Sequence, residues 1–231
     1  MINFLEVNTA SLNEKVKAYR LWHQQFAHLD FMKLHNLHKM TILEKSILIV
    51  ENNKIMCEIC ALIKFINKWD YTVSKRKTNI LVFVFIDIYS SLLLSFNEYQ
   101  YFLKIVDNHF WKTWMILLKW HDEASQTLQE WWLKTELQTD AKILAVQSNN
   151  KMKLRFILND WCKFLNITLQ YMMFYMSIQN DVVKRVIWIM KNSVHVMIKE
   201  TQLSIKFWVQ TAQTDVYLHN WTAIDFLIDS K

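Results

Sequence analysis

The sequence predicts an α/β fold with a mixed sheet, preceded by a smaller helical region. From residue 80 onward, apolar strand-like runs alternate with longer helical patterns, as in layered α/β proteins. Before residue 75, the chain has the pattern of helical pieces with a polar break at Glu51–Lys54. With 231 residues, 52% of them hydrophobic, the chain can bury the core of one medium domain plus a small one.

The elements of the second region are predicted in order from two kinds of pattern. β-branched and aromatic runs mark the strands, and apolar residues at three- or four-residue spacing mark the helices. The predicted strands are Ile80–Ile88, Tyr99–Val106, Thr113–Leu118 and Lys142–Gln147. The predicted helices are His121–Glu136, Arg155–Leu165, Val182–Lys199 and Phe207–Tyr217. In the first region, the spacing of apolar residues predicts helix within Tyr19–Met40.

The composition is unusual, because the chain contains no Gly and no Pro. Ordinary usage is roughly 7% Gly and 5% Pro. Trp is abundant at 11 residues, and only four of the 27 lysine and arginine residues are arginine. An artificial helical protein would also dispense with Gly and Pro, but Ile80–Ile88 suits a strand. Loss of Gly, Pro and Arg codons by G→A and C→T transitions accounts for these features together, since Arg CGG becomes Trp TGG.

The charge, the apolar runs and the cysteines limit the classes of protein to which this chain can belong. The net charge of +6 and the pI near 9.1 permit a polyanionic partner. We expect no signal peptide and no transmembrane span, because the longest apolar run, Ile80–Leu94, is short and contains Asp87. Two of the three cysteines form one C-x-x-C, which argues against a disulfide scaffold. The third, Cys162, is predicted to be a core thiol.

Four residues form a zinc-type pattern, H-x4-H followed by C-x2-C: His23, His28, Cys57 and Cys60. Neutral imidazole and thiolate are the ligands that tetrahedral Zn²⁺ prefers, and a helical H-x4-H would put both rings near one face. The spacing alone leaves alternatives open. Surface histidines with buried cysteines would produce the same pattern, and His35 and His38 offer a second histidine pair.

The pattern lies in LWHQQFAHLDFMKL and CEIC, which resemble LWHxRLGHxxxxxL and CxxC of the GAG-pre-integrase segment of copia-type retrotransposon polyproteins. Further blocks resemble that family's integrase in the same order. FIDIYSS resembles HTDICGP, YFLKIVDNHFWKTW resembles YFLxFVDDxSRKTW, ILAVQSNNKMKL resembles ILRSDNGGEY, YMSIQNDVVKR resembles YTPQQNGVAER, and IKFWVQTAQTDVYLHN resembles LPxxFWxEAxxTAxYLxNR. The resemblance implies a zinc region at 13–70 and an RNase H-like integrase core at 76–231. It also selects His23, His28, Cys57 and Cys60 as zinc ligands.

The resemblance implies a catalytic triad whose positions are Asp87, Asn149 and Lys184 in this chain. In the family, Asp, Asp and Glu hold two Mg²⁺ or Mn²⁺ ions that clamp the attacking and leaving oxygens of phosphoryl transfer. Asn149 has lost the negative charge, and Lys184 carries a positive one. We therefore expect no bound Mg²⁺ or Mn²⁺ at this site and no catalysis.

Most other departures from the family pattern fit the same transitions. Examples are Gly to Asp at Asp181, Pro to Ser at Ser177, and Arg to Trp at Trp111, Trp188 and Trp221. Where a lost Gly had φ > 0, each replacement costs about 1 kcal/mol or more. The substitutions therefore predict lowered stability as well as lost chemistry.

By the same resemblance, DNA is the expected partner and the nucleus the expected location, with no membrane association and with oligomers allowed. The candidate nucleic-acid-binding residues are Lys75, Arg76, Lys77, Lys184 and Arg185. Plain solvated surface charge would give the same residues. The alternatives to a degenerate integrase are a zinc-stabilised interaction module without a nucleic-acid role and an artificial helical protein. Salt-dependent DNA binding separates the first alternative from the integrase interpretation.

Overall fold

The computed structural model describes residues 16–30, 33–34, 57–63, 79–91, 93–148, 152–171 and 181–225. Within these ranges, the side chains of 152–153, 181–186 and 222–225 are not described. The predicted α/β architecture is confirmed, with one mixed sheet covered by helices on both faces.

Five strands form the sheet: β1 (Phe83–Ser90), β2 (Tyr101–Asp107), β3 (Thr113–Leu118), β4 (Ala145–Ser148) and β5 (Thr168–Tyr171). Their order across the sheet is β3-β2-β1-β4-β5. β2 is antiparallel to both of its neighbours, whereas β1, β4 and β5 run parallel. This order and these directions are those of an RNase H-like core, and β1 is its central strand.

Among the described residues, six helices of at least six residues accompany the sheet: α1 (residues 16–25), α2 (Glu58–Ile63), α3 (Ala124–Thr139), α4 (Met152–Phe164), α5 (Asp181–Thr201) and α6 (Trp208–Asp225). Short 3-10 turns, His121–Glu123 and Ile205–Phe207, lead into α3 and α6. None of the helices within the described ranges is both long and apolar enough to cross a membrane.

Successive side chains of β1 point to opposite faces of the sheet, so this strand contributes to two separate cores. Val84 and Ile86 face α3 and α4 in the larger core. Phe83 and Phe85 point to the opposite face, where they pack with Ile187 of α5. Because helices cover both faces, β1 is apolar along nearly its whole length rather than alternating.

The N-terminal region packs onto the helices that cover the second face of the sheet. Tyr19, Phe26 and Leu34 form a small core that Leu218 of α6 joins. α2 also contacts α5. These contacts place the four residues of the zinc-type pattern beside the C-terminal end of α5.

The structure differs from the predicted elements in three places. β1 begins at Phe83 rather than Ile80, because Leu81 turns the chain with a φ of 61°. β5 was not predicted, since its four residues are only partly buried or exposed and give a weak apolar signal. Helix is confirmed within Tyr19–Met40 only up to residue 25 and again at 33–34; between them Ala27 and His28 adopt φ values of 52° and 58°, and 31–32 and 35–40 lie outside the described residues.

Candidate metal centre and candidate active site

The four residues of the zinc-type pattern meet at one point, as the sequence predicted. His23 lies on α1, Cys57 directly precedes α2, and Cys60 lies within α2. His28 is fully buried, and the other three are partly buried. All four ligand atoms lie within 4.8 Å of one another.

The distances between these atoms suit a tetrahedral ion. His28 Nδ1 lies 3.1 Å from His23 Nε2 and 3.5 Å from each of the Cys57 and Cys60 sulfurs. Cys60 Sγ lies 3.3 Å from His23 Nε2. Zn–N bonds of about 2.0 Å and Zn–S bonds of about 2.3 Å place tetrahedral ligand atoms about 3.3–3.8 Å apart. The donor set and its spacing therefore fit Zn²⁺.

Each imidazole uses its other nitrogen for a hydrogen bond that sets the orientation of the ring. Nδ1 of His23 lies 2.9 Å from the carbonyl oxygen of Leu29, to which it donates. Nε2 of His28 donates to a carboxylate oxygen of Glu200 on α5. With these bonds made, Nε2 of His23 and Nδ1 of His28 are the nitrogens left to face the sulfurs.

The two histidines do not share a helix face, which corrects the helical H-x4-H expectation. α1 ends at residue 25, and His28 follows in a left-handed turn with Ala27. The family motif LWHxRLGH has Gly at the position of Ala27, and left-handed backbone is the conformation that Gly adopts without strain. The turn, rather than helical periodicity, brings the second ring back to the first.

The sequence offered three further residues of these types: Cys162 as a core thiol, and His35 and His38 as an alternative histidine pair. Cys162 is buried in the larger core, where burial raises the pKa of its thiol to about 11, so it is the predicted core thiol. His35 and His38 lie outside the described residues. The alternative histidine pair therefore stays untested.

Asp87, the first triad position, lies near the end of β1 and is 6% exposed. Its Oδ1 accepts a hydrogen bond of 2.8 Å from the backbone N–H of Ile88. Burial, followed by the charge and a hydrogen bond of Asp87, raises the pKa of the Tyr89 phenol. The retained carboxylate thus sits in a largely dry environment beside a phenol that stays protonated at neutral pH.

Lys104 on β2 is the cross-strand partner of Asp87 and is 1% exposed. Directly opposite residues of antiparallel strands project from the same face of a sheet. Burial lowers the pKa of Lys104 to about 7, although the Asp215 carboxylate of α6 opposes this shift. Its Nζ lies 3.7 Å from the sulfur of Met190 on α5. A buried lysine, half protonated near pH 7, therefore occupies the same face as Asp87.

His219 of α6 is a partly buried group whose pKa Lys104 affects. Burial, followed by the charges of Lys104 and Lys33, lowers the pKa of this imidazole to about 4. The residue is therefore neutral at physiological pH. The space between the sheet and α6 thus holds Asp215, Lys104 and His219.

For the remaining predicted site residues, the structure describes either the backbone alone or neither backbone nor side chain. Asn149 and the basic segment Lys75–Lys77 lie outside the described residues. Lys184 and Arg185 lie in the first turn and a half of α5, but their side chains are not described. The structure therefore brings together the zinc-type residues, whereas the meeting of the triad positions stays a prediction.

Sequence reasoning missed two residues beside these sites, Glu200 and Lys104. Glu200 lies 172 positions from His28, so no local spacing could have connected them. Lys104 did give a signal, since it is a charge in the middle of the otherwise apolar run 101–106 of β2. Its pairing with Asp87 depends on the strand register, which the sequence did not provide.

Comparison with known proteins connects this chain with retroelement polyproteins. No family model matches the chain. The chain is 26% identical over 203 residues, 87% of its length, to the Retrovirus-related Pol polyprotein from transposon TNT 1-94 of Nicotiana tabacum, and it spans 15% of that protein. Among solved structures, the HTLV-2 integrase catalytic core domain in complex with magnesium (trimeric form) gives a TM-score of 0.42 at 14% identity. The match covers 62% of this chain and 86% of that domain.

Proposed function

We propose that this chain, which is related to the integrase region of copia-type retrotransposon polyproteins, is a zinc-binding integrase fragment that no longer joins DNA strands. The observation that carries the zinc part is the set of four ligand atoms lying within 4.8 Å of one another. The observation that carries the inactive part is the content of the triad positions, Asp87, Asn149 and Lys184.

The chemical argument for inactivity concerns charge. In-line attack on a phosphodiester by the two-metal route needs two divalent ions about 4 Å apart, held by carboxylates. Of the three positions, only Asp87 still carries a carboxylate. A unit charge about 4 Å away contributes about 4 kcal/mol at an effective dielectric of 20, so exchanging Glu for Lys changes metal binding by several kcal/mol.

The surroundings of Asp87 support the same conclusion. Lys104 projects from the same face as Asp87 on the adjacent strand, and it is buried. At and below its pKa of about 7, Lys104 carries a charge in a medium of low dielectric, and that charge opposes the approach of a divalent ion more strongly than a solvated one does. In that pH range the retained carboxylate is therefore a weaker metal ligand even before the other two positions are considered.

The inactivity proposal is tested by Mn²⁺-dependent joining of a labelled donor duplex to a plasmid. We expect the chain to give no more product than its Asp87→Ala variant, which serves as the matched control. Product above that control would overturn the proposal. The double variant Asn149→Asp, Lys184→Glu tests whether the surrounding site retains its shape, since it restores the three carboxylates.

The zinc proposal places one structural ion in a region at 13–70, ahead of an integrase core at 76–231. His23, His28, Cys57 and Cys60 would hold it, and four protein ligands leave no open position for catalysis. Elemental analysis of protein purified without chelator should give one zinc per chain. A Cys57→Ser, Cys60→Ser variant should lose it, whereas Cys162→Ser, which alters the core thiol, should retain it.

Residual nucleic-acid binding is the remaining part of the proposal. The basic residues Lys75, Arg76, Lys77 and Arg185 would contact phosphates without reading sequence, and DNA in the nucleus is the partner that the family resemblance implies. Binding should weaken with salt at a slope of about −0.9 per phosphate contact. Alanine at 75, 76 and 77 should reduce that slope, and alanine at the exposed Lys134, Lys163 and Lys191 is the matched control. No salt-dependent binding would favour a zinc-stabilised interaction module instead.

A further inference from the structure

Glu200, in the last turn of α5, contacts the N-terminal region through both carboxylate oxygens. One oxygen accepts a hydrogen bond from Nε2 of His28, and the other accepts one of 2.7 Å from the side-chain amide of Gln24. His28 is fully buried, while the Glu200 side chain is 24% exposed. The carboxylate therefore lies at the edge of the cluster, outside the set of four ligand atoms.

The contact determines which nitrogen of His28 faces the cysteines. A neutral imidazole carries one proton, and the nitrogen that binds a metal must be the unprotonated one. Because Nε2 donates to Glu200, Nδ1 is left with its lone pair directed toward Cys57 and Cys60, 3.5 Å from each sulfur. A carboxylate in this position orients the ring and increases its basicity as a ligand.

The two histidines are held by different kinds of acceptor. His23 donates to the carbonyl oxygen of Leu29, which belongs to its own segment. His28 donates to Glu200, which belongs to the longest helix of the core domain. A metal centre formed by the N-terminal residues alone would need no contact with α5, so the acceptor of His28 depends on the docking of the two regions.

We propose that Glu200 is a positioning residue of the metal centre, by which α5 fixes the orientation of the His28 ring and raises zinc affinity. The inference rests on the proposed zinc site. It implies that the four-ligand pattern does not reach its full affinity unless it is docked on the core. It also places the metal centre at one end of the helix whose other end carries Lys184, the third triad position.

The test is zinc affinity of the full chain, measured by competition with a chromophoric chelator. Glu200→Ala should weaken Zn²⁺ binding by about 10- to 100-fold. Glu200→Gln should give an intermediate affinity, since its amide oxygen still accepts from His28 without the negative charge. Gln24→Ala is the matched control, because it removes the other hydrogen bond of Glu200 and leaves His28 in place; we expect less than a twofold change.

Co²⁺ substitution separates positioning from loss of the ligand set. All three variants should show the same tetrahedral Co²⁺ absorption and thiolate charge-transfer bands as the parent chain, with only the affinity changed. Equal zinc affinity in Glu200→Ala and the parent would overturn the inference, and so would an equal loss in Gln24→Ala, which would indicate a packing effect. A parent chain that binds no zinc would instead overturn the zinc site itself, and the inference with it.

Discussion

Lys104 and Asp87 are directly paired across the β1–β2 ladder and project from one face of the sheet. Both are buried, with exposures of 1% and 6%. An aspartate at this position would hold a divalent cation in an active integrase of the resembled family, and here its strand neighbour is a lysine whose pKa burial lowers to about 7. Lys104 therefore adds an ionisable amine beside the first position of the triad that the family resemblance implies.

Lys104 should make the free energy of unfolding depend on pH in the neutral to alkaline range. Its pKa is about 7 in the folded chain, below the ordinary value of 10.5, because burial disfavours the ammonium. Between these values only the unfolded chain holds the proton, so the free energy of unfolding rises with pH. The slope is at most about 1.4 kcal/mol per pH unit, and it vanishes below the folded pKa, where both states are protonated.

Urea unfolding at several pH values between 7 and 10 checks this expectation. Lys104→Met should remove the rise, since it keeps the length of the side chain and its contact with Met190 but cannot titrate. The exposed Lys134→Met is the matched control and should retain it. An identical pH dependence in the parent and in Lys104→Met would contradict the buried-ammonium interpretation.

Restoring the triad should restore metal binding only in part. Asn149→Asp with Lys184→Glu returns two carboxylates, but Lys104 remains opposite Asp87. We expect Mn²⁺ affinity to increase in the double variant. At about pH 6, below the folded pKa of Lys104, it should increase again by about tenfold when Lys104→Met is added, since 1.4 kcal/mol already gives that factor. Mn²⁺ titration followed by electron paramagnetic resonance measures both steps.

Adding Asp87→Ala to the triple variant is the control, and it should abolish the gain. If Lys104→Met left Mn²⁺ affinity unchanged in the repaired background, the ammonium would have no part in excluding metal. That result would leave the two triad substitutions as the whole cause of inactivity.

Gly at position 202 should stabilise the chain. Gln202 follows the last residue of α5 and has a φ of 53°, the left-handed conformation in which a Cβ is strained. Gln202→Gly should raise the free energy of unfolding by about 1 kcal/mol, since Gly is the usual residue after a helix end. Lys199→Gly, inside the helix, should lower it by about 1 kcal/mol. A thermal shift of the same sign in both variants would refute the backbone argument.

Zinc removal should lower thermal stability. An ion present at about 100 times its Kd stabilises the folded state by about 2.7 kcal/mol, which corresponds to about 5–10 °C in a chain of this size. Chelation should therefore lower the melting temperature of the parent chain by that amount. Chelation should not change the melting temperature of the double variant Cys57→Ser, Cys60→Ser. It should still lower that of the control variant Cys162→Ser. A parent chain insensitive to chelator would argue against a structural ion.

The sequence by itself determined the α/β class, most of the strands and helices, and the identity of the four zinc-type residues. β-branched runs and apolar spacing are local signals, whereas the resemblance to the pre-integrase motifs selected the four zinc-type residues among the histidines and cysteines of the chain. The weakly patterned β5 was missed because its residues are only partly buried or exposed. The predicted helix through His28 was wrong because a left-handed turn at Ala27 and His28 has no local signature without Gly.

Only the tertiary structure decided which residues stand beside the two sites. Glu200 reaches His28 because the N-terminal region docks on α5, and Lys104 faces Asp87 because the β1–β2 register pairs them. Both relationships join positions far apart in the chain or on different strands, and they depend on packing and register. Such contacts follow from burial of the whole core, so no spacing along the sequence could have specified them.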